Sequence, residues 1–245
     1  MKNFLLFVAL LVLSQQVKGQ VEFFKNPEPK GPMRVALVPL GNVPDRDITL
    51  VKEALEAYYL VEVTVNKAIA VTEGTNVKGR SQSIRIKEGK RRLVRDSTNI
   101  DIASGFNKLL LEPTNKDFDR IIGLTGYGLS TGQDQWSLRG ITQMRPGGCC
   151  SLISTYLIGQ QSAKAEEYRF RLRKIALHEF GHSLGLNHCG YSDGDQAKSY
   201  SDQKTTATKG NTSCFMLEST PDGQQWYRTT NRLCDQCQAL LKSKL

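Results

Sequence analysis

The chain alternates between short apolar runs and longer segments whose apolar residues recur every three or four positions. Arg34–Leu40 (Arg-Val-Ala-Leu-Val-Pro-Leu) is β-prone and predicts a buried strand. Over Asp45–Tyr59, residues Ile48, Val51, Leu55 and Tyr58 fall at helical spacing, with Asp47 as the expected N-cap. Residues 60–65 alternate, with Val61, Val63 and Val65 in phase, and predict a second strand. Strand, helix and strand in close succession suggest a right-handed parallel crossover.

Residues 74–95 are the most basic part of the chain and read as a solvated hairpin, residues 83–87 and 91–94 flanking Glu88-Gly89. Residues 97–111 predict a second helix, weakened by Gly105. Residues 118–124 predict a third strand, 136–144 an edge strand, and the apolar stretch 150–158 a central one. A long helix starts near Ser162, with Glu166 and Glu167 in its first turns, where they suit the helix dipole. Tyr168, Leu172, Ile175 and Ala176 form its buried stripe. Residues 190–213 are almost wholly polar and predict a loop; residues 234–245 predict a short terminal helix.

Composition changes little in this picture. Hydrophobic residues make up 39% and charged residues 23% of the 245 positions, ordinary for a globular domain. The first twenty residues stand apart. Lys2, an apolar run from Phe4 to Leu13 and a polar end at Gly19-Gln20 predict a secretory signal peptide, leaving residues 21–245 as one domain. The apolar run is short for a bilayer span, and no later segment reads as transmembrane. The expected location is secreted or periplasmic. The net charge of +9 invites nucleic acid as a partner, but export argues against that, and a basic solvated surface is the reading kept. Asp193-Gly194-Asp195 reads as a plain turn rather than a calcium site. Asn211-Thr212-Ser213 is a glycosylation sequon, meaningful only in a eukaryotic secretory pathway.

The candidate chemistry lies in residues 178–189, His-Glu-Phe-Gly-His-Ser-Leu-Gly-Leu-Asn-His-Cys, which hold all three histidines of the chain. At 3.6 residues per turn, His178 and His182 project from one helix face. Gly185 permits a turn that other residues resist, and the turn returns His188 as a third imidazole. Three neutral imidazoles with an open fourth position make a catalytic zinc site. Zinc activates water, and Glu179, beside the ligands, is the expected general base that passes the proton to the leaving amine.

Four of the six cysteines form a second constellation: Cys189, Cys214, and the two-residue knuckle Cys234-Asp-Gln-Cys237. Four thiolates suit a closed structural zinc site; two disulfides are equally natural outside the cytoplasm. The adjacent Cys149 and Cys150 read as small buried hydrophobes at a strand start, too close to bridge each other.

The run from His178 to Cys237 resembles the archaemetzincin family of zinc metallopeptidases. Their signature joins the extended histidine motif to a cysteine, then Cys-x-Met, seventeen residues, and Cys-x-x-Cys. Here the matching residues are His178, Glu179, His182, Gly185, His188, Cys189, Cys214, Met216, Cys234 and Cys237, and seventeen residues separate Met216 from Cys234. The family places four residues between its first two cysteines; this chain has twenty-four. The resemblance implies catalytic zinc on His178, His182 and His188 with Glu179 as base. It also implies a second, structural zinc on Cys189, Cys214, Cys234 and Cys237, and a methionine turn at Met216. The implied fold is α/β, an α+β metzincin-like domain: a twisted mixed sheet, an active-site helix, and a small zinc-stabilised C-terminal part over 186–245. A peptide or protein substrate would lie along an edge strand, here residues 133–144, and a monomer is expected. Two rival classes remain at this point: an exported zinc-containing module that binds peptides without turnover, and a basic binder of acidic glycans.

Overall fold

The computed structural model describes residues 31–71, 76–78, 82–85, 91–94, 98–130, 139–143, 149–189, 214–216 and 232–244. The expected signal peptide, Asp193-Gly194-Asp195, the sequon and the expected loop over 190–213 lie outside them.

A five-stranded sheet runs through the middle of the molecule. Its strands are β1 (Arg34–Leu40), β2 (Glu62–Val65), β7 (Arg120–Thr125), β9 (Gly140–Thr142) and β10 (Cys150–Ser154), in the order β2-β1-β7-β10-β9. Only the edge strand β9 is antiparallel to its neighbour; the other pairings are parallel. Three further strands, β3 (Asn76–Lys78), β6 (Thr98–Asp101) and β8 (Gly128–Ser130), form a small second sheet. The expected basic hairpin is present as an antiparallel pair, β4 (Gln82–Arg85) and β5 (Arg91–Val94).

Helices cover both faces of the main sheet, and for this reason its strands are apolar on both sides. Val35 and Leu37 of β1 face one layer, with α1 (Asp45–Tyr59) and α4 (Ala165–Ser183). Ala36, Val38 and Leu40 face the other, with α2 (Ile102–Leu111). The alternation of side chains along a strand sorts one run of sequence into two cores. Among the described residues, no helix is long and apolar enough to cross a membrane.

The predicted strand β1 and helix α1 have the expected bounds, and β1 and β2 pair in parallel. Several boundaries move. Leu60, expected to open a strand, adopts a left-handed conformation (φ 54°) that ends α1, so β2 begins two residues later. Asp47 is not the N-cap. It is buried in the first turn, and its carboxylate accepts a 2.7 Å hydrogen bond from Tyr168, tying α1 to α4. The helix expected over 97–111 starts only at Ile102; residues 98–101 are strand, and Asp101 caps the helix by accepting from the Ser104 amide at 2.9 Å. The third strand is shifted slightly, to Arg120–Thr125. The run 150–158 is not one central strand. Its first half is β10, next to the sheet edge; the rest turns into α3 (Tyr156–Gln161), an ambiguity of short apolar runs that periodicity does not resolve. The long helix begins at Ala165 with Glu166 and Glu167 in its first turn. The terminal helix α5 spans Asp235–Lys244.

Cys149 and Cys150 are buried at the start of β10 as expected, but they are joined to each other by a disulfide. The expectation rested on adjacent residues standing too close for disulfide geometry, yet the two Cα atoms lie 3.7 Å apart and the bond is made. Cys149 lies just before β10, outside the regular alternation of the strand, so its side chain can turn to the side of Cys150.

Candidate metal centres

Helix α4 is buried on every side over its last ten residues, from Lys174 to Ser183, because the sheet, α1 and the residues around Phe215 enclose it. Its end is built by backbone hydrogen bonding. The Leu186 amide donates to the Gly181 carbonyl at 3.0 Å and the Gly185 amide to the His182 carbonyl at 2.9 Å, with Gly185 at φ 81°. This Schellman arrangement needs a left-handed residue after the helix, the role glycine fills at no steric cost. The Arg120 side chain donates to the Ser183 carbonyl at 3.0 Å, placing positive charge at the helix C-terminus.

The turn brings the three imidazoles together. The ligand nitrogens of His178, His182 and His188 all lie within 4.8 Å of one another. His182 Nδ1 is 2.7 Å from the Leu186 carbonyl, and His178 Nδ1 is 2.8 Å from the Phe215 carbonyl. A carbonyl can only accept, so each Nδ1 carries the proton and each Nε2 presents a lone pair. Those two Nε2 atoms stand 3.0 Å apart. Two facing lone pairs repel unless a cation lies beside them. Protonation is opposed: burial pushes His182 down to about 3 and His188 to about 4, and His178 well below the usual range. A divalent ion that accepts imidazole nitrogen fits this group, and zinc does so readily.

Glu179 stands beside the ligands, 5% exposed, and burial raises its carboxyl to about 7 against the lowering effect of a hydrogen bond from Thr142. Thr142 Oγ1 is 2.7 Å from Glu179 Oε2, 2.9 Å from the Glu179 carbonyl and 2.9 Å from Ser151 Oγ. Gly140, on the same edge strand, leaves the space the carboxylate occupies: a Cβ there would lie 2.6 Å from Glu179 Oε1.

The second group gathers Cys189, Cys214, Cys234 and Cys237, all unbridged, with their sulfurs within 4.8 Å of one another. Cys189 and Cys234 sulfurs are 3.6 Å apart, and the Cys234 amide donates to Cys214 Sγ at 3.4 Å. Hydrogen bonds from Cys189 and Cys237 lower the Cys214 thiol to about 4, while the same contacts push Cys237 far up. One thiolate forms easily among neighbours that donate to it, and the last is hard to form without a cation. Four sulfurs at this spacing suit a tetrahedral zinc site.

The tripeptide Cys214-Phe215-Met216 lies between the groups. Cys214 belongs to the sulfur cluster, and the Phe215 carbonyl holds His178. The Met216 carbonyl accepts from the Cys189 amide at 2.8 Å, and its sulfur would lie 2.6 Å from a Cβ at Gly181. Met216 is therefore packed under the helix turn that carries His182.

All the residues singled out in the sequence are thus drawn into two clusters, with Met216 between them. Thr142, Ser151, Gly140, Gly181, Tyr59 and Lys174 were not foreseen. Tyr59 donates to the Leu177 carbonyl at 2.8 Å and packs edge-on against Phe180. Lys174, 1% exposed, is lowered to about 8 by burial, with the Cys214 charge acting against that shift. No spacing rule marks these residues, because each acts across the fold.

Comparison with known proteins gives the class first. No protein-family model matches the chain. Its fold is that of solved zinc peptidases, among them a zinc-dependent peptidase from Methanocorpusculum labreanum (17% identity, TM-score 0.51, 84% of this chain and 99% of that one). The crystal structures of archaemetzincins from Methanopyrus kandleri (21% identity, TM-score 0.58, 89% and 98% of the two chains) and from Archaeoglobus fulgidus, complexed with malonate (22%, 0.57, 87% and 100%), share it too. In sequence, the chain is 28% identical over 167 residues to the archaemetzincin of Haloquadratum walsbyi, covering 65% of this chain and 83% of that one. It is 27% identical over 164 residues to that of Halobacterium salinarum strain R1, covering 64% and 82%. Within the class of zinc-metallopeptidase folds, then, this chain is archaemetzincin-like.

Proposed function

We propose that the chain is an exported zinc-dependent peptidase. In this reading His178, His182 and His188 hold the catalytic zinc, Glu179 is the general base, and the four late cysteines hold a structural zinc. The observation that carries it is the pair of Nε2 atoms 3.0 Å apart whose Nδ1 protons are already committed, beside a buried carboxylate.

Zinc, when bound, supplies a Lewis acid that polarises the scissile carbonyl and acidifies water. The rest falls to the chain's own residues. Glu179 takes a proton from the attacking water and delivers it to the leaving nitrogen as the C–N bond breaks, so one water is consumed and one carboxyl and one amine appear. Burial lifts this carboxyl to about 7 in the metal-free chain, and a zinc ion beside it would act the other way, favouring the carboxylate that accepts the proton. The two backbone carbonyls fix the ring planes of His178 and His182, as second contacts of metal-bound imidazoles commonly do. β9 is the last strand of the main sheet among the described residues, the position at which an extended peptide can add as a further strand. Of the proposed substrate strand over 133–144, residues 139–143 are described and contain β9; the remainder lies outside the described residues.

Replacing Glu179 with Ala should leave two zincs per chain and lower peptide cleavage by about 10² to 10⁴-fold. Cleavage at the wild-type rate by the zinc-loaded variant would overturn the assignment of the base. Export is tested by N-terminal sequencing of the protein recovered outside the producing cell, which should start after Gly19 or Gln20.

A further inference from the structure

We propose that Thr142 is a positioning residue for the base: its hydroxyl on edge strand β9 holds one oxygen of the Glu179 carboxylate, so that the strand offered to substrate also sets the aim of Glu179. The inference rests on the peptidase reading and deepens it.

Three observations meet here. Thr142 is the one hydrogen-bond donor recorded to the Glu179 carboxylate among the described residues, at 2.7 Å to Oε2. Its hydroxyl has a single proton. The Ser151 hydroxyl on β10, 2.9 Å from Thr142 Oγ1, donates to the Glu179 carbonyl at 3.2 Å, which leaves the Thr142 proton for the carboxylate oxygen, the shorter of its two contacts with Glu179 (2.7 Å against 2.9 Å). On the other side, the bare Cα of Gly140 faces Oε1, and a Cβ there would overlap the carboxylate. One oxygen is thus held and the other has space left for it, both by a strand of three residues, Gly140–Thr142.

A carboxylate on a flexible two-carbon stem has several rotamers, and only some face a reacting water. Fixing one oxygen from the sheet leaves Oε1 as the free acceptor. Misplacement of a reacting group by about 1 Å can cost a hundredfold in rate. The hydroxyl's hydrogen bonds go to Glu179 and Ser151, so its loss should act on the chemical step rather than on zinc or substrate binding.

The test compares Thr142→Val, Thr142→Ser and Glu179→Gln with the wild type, as zinc-loaded enzymes and as metal-free proteins. Thr142→Val should lower kcat about tenfold to a hundredfold, with KM and zinc content unchanged, and Thr142→Ser should restore most of kcat. In metal-free protein, the infrared carboxyl band that disappears in Glu179→Gln should shift in Thr142→Val and return in Thr142→Ser. A wild-type kcat in Thr142→Val, a loss confined to KM or zinc content, or an unshifted band would each overturn the proposal. Failure of the peptidase reading is separable: the wild type would then cleave no peptide, while the infrared comparison would still decide whether Thr142 holds Glu179.

Discussion

The two donor groups differ in how they are assembled. The histidine group comes from a single helix and the turn that ends it, so backbone geometry alone brings its members close. The cysteine group draws on three separated stretches: the residue after His188, the tripeptide at Phe215, and the start of α5. A site made by local periodicity needs tertiary contacts only to set ring planes. A site made from distant segments has to be folded before it exists, and its metal then contributes directly to holding the fold. The histidine group depends on the stretch that carries a cysteine ligand, because the Phe215 carbonyl that orients His178 is flanked by Cys214.

The largest expected effect breaks the histidine group alone. His182→Ala should abolish peptide cleavage and reduce the metal content, measured by mass spectrometry of the native protein, from two zincs to one, with the cysteine site still filled. Next is the reverse experiment. Cys214→Ser should lose the sulfur-bound zinc and lower the unfolding free energy by about 3 kcal/mol or more, and cleavage should fall with it because Phe215 no longer fixes His178. Full activity in that variant would contradict this dependence.

Acid titration of the metal-free protein sharpens the comparison. The three histidines have folded values below the ordinary 6.5, so below that pH the unfolded chain binds their protons and the folded one does not. Stability therefore falls as pH drops through 6.5 towards 4. Glu179 acts oppositely: raised from 4.5 to about 7, it holds a proton in the folded chain that the unfolded chain has released, which favours folding as pH falls between those values. The three histidines, joined by the Cys214 thiol that is lowered in the same metal-free protein, outweigh the one carboxyl, so unfolding takes up protons between pH 6.5 and 4.5 and stability falls as pH drops. Denaturant titrations at stepped pH measure this slope, and a flat profile would contradict the buried neutral histidines.

Smaller effects probe the contacts between the groups. Gly181→Ala puts a methyl against the Met216 sulfur and the Tyr59 hydroxyl, and should cost about 1–3 kcal/mol. Tyr59→Phe removes only the bond to the Leu177 carbonyl and should cost about 1 kcal/mol in thermal or denaturant unfolding.

Much of the fold was legible because strands buried on both faces leave long apolar runs and helices leave a three-to-four spacing; β1 and α1 were readable for that reason. Ambiguity fell where local signals compete. Residues 150–158 are β-prone throughout, yet the chain turns after Ser154, where the Thr155 amide makes its bond to Thr125 and α3 begins. Residues 98–101 look helical until their pairing with β3 and β8 is known.

By itself, the sequence determined which atoms could bind metal. The spacing of His178, His182 and His188 around Gly185 is a property of helix pitch and of one left-handed turn, and both are local. Tertiary structure alone decided which nitrogen of His178 faces inward, which hydroxyl meets Glu179, and that four cysteines from three stretches lie within 4.8 Å of one another. Those outcomes depend on carbonyls, hydroxyls and missing side chains brought together across the sheet, and contacts between distant parts of a chain leave no periodic trace in it.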